Sequence, residues 1–182
     1  MLMQTPREAE ILYPLTLFRR NGGGPLPPYE LIDDQEMPEP YRKLLVHHGD
    51  MTSRLEAFHK GKIILELLHR EHSGNTYRRE VVLHVEDTAL AVEYGAIEIQ
   101  LDAFEPDVRD QILAEHLPLG GLLNRYGIRY RSQPRAFFKL GPDLQMNALF
   151  SSAASTEYYG RSNELLTDDG RRLALIVEVL RP

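Results

Sequence analysis

A chain of 182 residues is long enough for one well-filled core and too short for two ordinary domains with a linker. Its 42% hydrophobic and 26% charged residues are those of a globular protein without a membrane span, and a formal charge of −6 disfavours a protein whose main task is gripping nucleic-acid phosphates. The absence of cysteine excludes disulfides, thiol nucleophiles and cysteine zinc sites, and fits a reducing compartment such as the cytoplasm. The first residues, MLMQTPREAEILYPL, place acids and prolines where an export signal would need a basic start and an unbroken apolar run.

Thr5-Pro6-Arg7-Glu8 has the form of a capping box with proline at the first helical position, so a short leading helix is expected. The stretch Asn21 to Glu30, NGGGPLPPYE, reads as an irregular connection. Residues 1–39 are therefore expected to form an arm appended to a domain spanning 40–182. PYRKLLVHH and MTSRLEAFHK fit two short helices, the second capped by Asp50 or Thr52 and ended by Gly61. The period then changes: KIILELLHREH and TYRREVVLHVE flank Ser73-Gly74-Asn75 as a hairpin. A third strand, ALAVEYGAIEIQL, has Gly95 as a bulge or a close approach. Helical stretches EPDVRDQILAEH and LGGLLNRYG follow, then strands IRYRSQPRAFFKL and STEYYGRSNELL, the turn Thr167 to Gly170, and the terminal strand RRLALIVEVL. Six strands in hairpin-like succession with clustered helices predict an α+β fold around an antiparallel sheet.

Two charges stand where that sheet should be dry. Alternation places Arg79 on one face with Tyr77, Val81, Leu83 and Val85, and Glu178 on a face with Ala174, Ile176 and Leu180. Each is either a solvated or paired structural charge or part of a site. As a site, a buried guanidinium offers bidentate recognition of a carboxylate, and a desolvated glutamate is suited to donating or sharing a proton. Other candidates are weaker. Spacing of three on a strand sends the imidazoles of His69 and His72 to opposite faces, and His47-His48 reads as a helix end. NGGGPL lacks the lysine and the strand-to-helix context of a phosphate loop.

DMTSRLE, YRREVVL, LPLGGLL, YYGRSNEL and DDGRRLALIVEVL occur in the order and approximate spacing seen in chorismate pyruvate-lyases. The chain from Pro40 to its end resembles that family. The resemblance implies an antiparallel six-stranded sheet with helices on one side and two helical flaps over an enclosed ligand cavity. It also implies a cofactor-free elimination of pyruvate from chorismate that leaves 4-hydroxybenzoate or an isomer, for quinone or secondary-metabolite synthesis. Arg79 matches the arginine holding the ring carboxylate, and Glu178 the glutamate at the opposite end of the ring, expected to be protonated and to act as general acid. Met51 and Leu119 match apolar positions that touch the ring, and Gly120 the glycine beside that leucine. Arg161 would meet the enolpyruvyl carboxylate or serve as a structural arginine. No metal is implied. The effector-binding domains of GntR-type regulators share this fold, so a non-catalytic module binding a small aromatic acid is the alternative. The roughly forty residues before the domain are too few for the winged helix such regulators carry.

Overall fold

The computed structural model describes residues 11–152 and 157–182; the capping box at Thr5 lies outside them. Seven strands form one antiparallel sheet: β1 (Tyr29–Ile32), β2 (Ile63–Ser73), β3 (Thr76–Val85), β4 (Ala91–Gln100), β5 (Arg131–Leu140), β6 (Tyr158–Leu166) and β7 (Arg172–Leu180). Their order is β1-β5-β6-β7-β4-β3-β2. The terminal strand therefore lies at the centre of the sheet, where β4 and β6 flank it. This explains its nearly continuous apolar run, because a central strand is buried on both faces. The β2–β3 hairpin closes through Gly74 at φ 58 and Asn75, in agreement with the turn signal. Pro134 sits at a register shift in β5, where a missing N–H does least harm.

The helices are α1 (Leu15–Phe18), α2 (Tyr41–Leu45), α3 (Met51–His59), α4 (Pro106–Leu113), α5 (Leu119–Arg125) and α6 (Leu144–Leu149). Asp50 caps α3 by accepting from the Ser53 N–H at 2.7 Å, and Lys60 ends it in the left-handed region just before Gly61.

Three expectations are corrected. The sheet has seven strands rather than six, because Tyr29–Ile32 at the end of the Gly/Pro-rich stretch pairs with β5 as an edge strand. At four residues, with both ends half-buried and the middle exposed, it lacks the alternation that marks a strand. The preceding segment is not merely appended, since Leu12, Leu15 and Phe18 are buried in a core cluster with Val82, Tyr94 and Val177. Helices also cover both faces of the sheet rather than one. The segment around α1 and α6 packs on the face of Val82, Tyr94 and Val179, while α3 and α5 pack on the face of Val81, Ile97 and Leu180. The alternation in β7 required this, because both of its residue sets are apolar and both must be covered.

Candidate functional site

The second of these faces carries the site. Arg79 in β3 is opposite Ile97 in β4, which is opposite Ile176 in β7; two residues along, Val81, Gly95, Glu178 and Arg161 form a parallel row. Arg79 and Glu178 are thus two strands and two residues apart, roughly 12 Å between Cα atoms. They do not pair. Both line one cavity between the sheet and the N-terminal ends of α3 and α5, and Met51, Leu119, Gly120 and Arg161 line it too. All six residues singled out from the sequence therefore meet in one place.

The floor of the cavity is shaped by Gly95. A Cβ there would lie 2.2 Å from the Val177 carbonyl oxygen, so only glycine allows β4 to approach β7 this closely. In the roof, a Cβ on Gly120 would sit 3.2 Å from Asp50 Cβ and 3.3 Å from Thr52 Oγ1. Asn124 in α5 donates to Asp50 at 3.1 Å, tying the two helices together. Met51 and Leu119, each the first residue of its helix, are 5% and 4% exposed. The cavity has a volume of about 70 Å³, several times the roughly 10–15 Å³ that one water needs.

The electrostatics of the two ends differ. Arg79 is 1% exposed. Its Nη2 donates to the Leu117 carbonyl at 3.1 Å, while Nε and Nη1 have no partner. Burial lowers its pKa, an effect partly offset by Tyr77 and Glu115. Glu115 is itself engaged, accepting from the Tyr77 hydroxyl and pairing with Arg70 at 2.9 Å. The Arg79 guanidinium is thus a buried cation with two idle donors.

At the other end Arg161 and Glu178 form a buried ion pair, Nε to Oε2 at 2.5 Å. Arg161 Nη1 also donates to the carbonyls of Leu45 and His47, both at 3.1 Å. The expectation of a protonated Glu178 does not suit this geometry, because a charge-assisted contact with a guanidinium belongs to a carboxylate. A second glutamate, Glu93 in β4, lines the same cavity at 5% exposure with its Oε2 unpartnered. Burial and then the charge of Glu178 push its pKa well above the usual carboxyl range, against a smaller opposing effect of Arg161. Glu93 is therefore readily protonated. Tyr130 lines the cavity with its phenol pushed up to about 12, chiefly by burial, and stays a hydrogen-bond donor. Asn163 beside it is held by Ser132 through a 3.0 Å bond.

Glu93 was missed in the sequence although the signal that marked Arg79 and Glu178 was present: it alternates with Gly95, Ile97 and Ile99 on an apolar face. The histidines lie elsewhere. His69 Nδ1 is 2.6 Å from Glu80 on the opposite sheet face, and His72 Nε2 is 3.0 Å from the Gly74 carbonyl. Among the described residues no cluster of His, Asp or Glu could hold a metal ion, and no helix is long and apolar enough to cross a membrane.

No protein-family model and no curated protein matches the chain. Solved structures do match. The effector domain of PhnF from Mycobacterium smegmatis aligns with a TM-score of 0.54 at 14% identity, over 73% of this chain and 88% of that one. The PhnF structure from the same organism aligns with a TM-score of 0.54 at 13% identity, over 91% and 92%. The possible transcriptional regulator YydK from Bacillus subtilis gives a TM-score of 0.50 at 6% identity, over 65% of this chain and 57% of that one. At these identities the likeness concerns the fold alone, which this chain shares with the effector domain of PhnF.

Proposed function

We propose that the cavity binds a small aromatic carboxylic acid, with the carboxylate on Arg79 and the ring between the sheet and the N-terminal ends of α3 and α5. The observation that carries this is the Arg79 guanidinium, buried with Nε and Nη1 unpartnered. A buried donor left unsatisfied costs about 1–3 kcal/mol, and more on an ion. A carboxylate is the partner suited to such a cation, pairing along one edge of the guanidinium, on Nη2 together with Nε or with Nη1. Leu65, Val81, Leu83, Ile97, Leu165 and Ile176 give the walls the apolar character that a ring requires. The likeness in fold to effector-binding domains supports the same reading. Calorimetric titration with 4-hydroxybenzoate and with neutral 4-hydroxybenzyl alcohol tests it. The acid is expected to bind at least about tenfold more tightly, since a charge-assisted bidentate contact is lost in the alcohol. Equal affinities would refute the carboxylate role.

A second reading is turnover of chorismate, which carries two carboxylates; the presence of two arginines on one cavity favours it. In that reaction the ring loses a proton and its enolpyruvyl ether. The C–H electron pair completes the aromatic ring, and the departing enolpyruvate takes up a proton to become pyruvate. Arg79 would hold the ring carboxylate, Arg161 the enolpyruvyl carboxylate, and an ionised Glu178 would accept the ring proton. Pyruvate release from chorismate by the purified chain is the test, and no release from folded protein removes this reading.

A further inference from the structure

The binding reading above leaves Glu93 without a task, and its surroundings are unusual. It is a carboxyl group at the third residue of β4, 5% exposed, lining the cavity with Oε2 unpartnered. The cation beside it does not serve it: Arg161 gives Nε to Glu178 and Nη1 to two backbone carbonyls. A buried polar group without a partner is a net cost to folding, so its presence at a cavity wall marks a contact that is completed by something else.

The position is informative. Glu93 lies four residues along β4 from Ile97, the strand partner of Arg79. Its Cα is therefore roughly 14 Å from that of Arg79, far enough for two long side chains to reach toward opposite ends of a benzoate-sized molecule. We infer that Glu93 reads the substituent opposite the ligand's carboxylate and selects an uncharged oxygen there, a hydroxyl or an ether. The inference rests on the binding reading above.

The chemistry of the group accounts for the selection. Burial and the neighbouring Glu178 raise the pKa of Glu93 and so favour its neutral acid form, which offers one O–H donor and one carbonyl acceptor. A phenol or alcohol can satisfy both, and an ether oxygen can take the donor. A methyl group at this point would leave Oε2 of Glu93 unsatisfied. A site built to hydrogen-bond a substrate hydroxyl discriminates strongly against an isostere lacking it for this reason.

The test compares 4-hydroxybenzoate with its near-isostere 4-methylbenzoate by calorimetric titration of wild type, Glu93→Gln and Glu93→Met, each first checked for cooperative thermal unfolding. Wild type is expected to prefer the hydroxy acid by about tenfold or more. Glu93→Gln, which keeps one donor and one acceptor, should hold that preference to within about threefold. Glu93→Met should bring the ratio to near one while leaving 4-methylbenzoate affinity unchanged or improved. Equal binding of both acids to wild type, or an intact preference in Glu93→Met, overturns the role of Glu93 and leaves the carboxylate contact standing. If neither acid binds wild type at millimolar concentration, the aromatic-acid reading fails, and the role of Glu93 falls with it.

Discussion

Replacing Arg79 with methionine separates a functional from a structural guanidinium. Arg79 makes one hydrogen bond, to the Leu117 carbonyl, and leaves the buried nitrogens Nε and Nη1 idle. Methionine removes both idle donors, relieving about 1–3 kcal/mol each, at the cost of one bond and one carbonyl of similar size. It also takes a poorly solvated cation out of the core with little loss of volume, the kind of exchange that is often neutral or stabilising by about 1–4 kcal/mol. The net expectation is a gain of about 2 kcal/mol, or ~4–8 °C in Tm for a domain of this size. At the same time 4-hydroxybenzoate, which should raise the Tm of wild type by mass action, should no longer shift that of Arg79→Met. Differential scanning fluorimetry with and without the acid reads both effects. A loss of about 3–5 kcal/mol in Arg79→Met would mean that the guanidinium is a paired member of the core, and the reasoning would be wrong.

Further expectations concern the opposite end of the cavity and the sheet beneath it. Glu178→Leu strands Arg161, whose side chain is 1% exposed, and should destabilise the fold by about 3–5 kcal/mol in urea unfolding; a loss below about 1 kcal/mol would contradict the buried pair. Gly95→Ala should cost about 1–3 kcal/mol or more, because its Cβ meets β7 backbone that cannot turn aside. Glu93 has a folded pKa raised above its unfolded value of about 4.3, so the folded chain holds a proton that the unfolded chain releases. Its contribution should therefore decline as pH rises above ~4.3, and Glu93→Gln should abolish that decline. His47 has the opposite sign. Burial, with Arg161 and Arg54 adding to it, lowers its pKa to about 4, so stability should be lost as pH falls from about 6.5 toward 4. His47→Asn can still accept from the Gly49 N–H and should flatten this loss. Urea unfolding from pH 4 to 8 on the two variants separates the opposing effects.

Much of the site was legible because burial and charge conflict in so few residues. Arg79 and Glu178 each break an apolar strand face, and both indeed line one cavity. Glu93 breaks a face in the same way, but its strand is shared with Tyr94, Gly95 and Glu98, and that mixture hid the pattern. The Arg161–Glu178 pair was not legible, since strand order is set by long-range pairing that local periodicity does not encode. The hairpin of β2 and β3, the capping of α3 by Asp50 and the close approach at Gly95 followed from local rules. The edge strand β1 and the covering of the second face did not. β1 is held by pairing with β5 rather than by an alternating face of its own. Leu12, Leu15 and Phe18 lie in a segment broken by Pro14 and followed by a glycine run, where helical periodicity is too short to read.

The most direct measurement is a crystal structure of the protein grown with saturating 4-hydroxybenzoate. The ligand carboxylate is expected within hydrogen-bond distance of the Arg79 guanidinium, along an edge that includes Nε or Nη1, with its ring between the sheet and the N-terminal ends of α3 and α5. An empty cavity under those conditions, or a carboxylate seated away from Arg79, would contradict it.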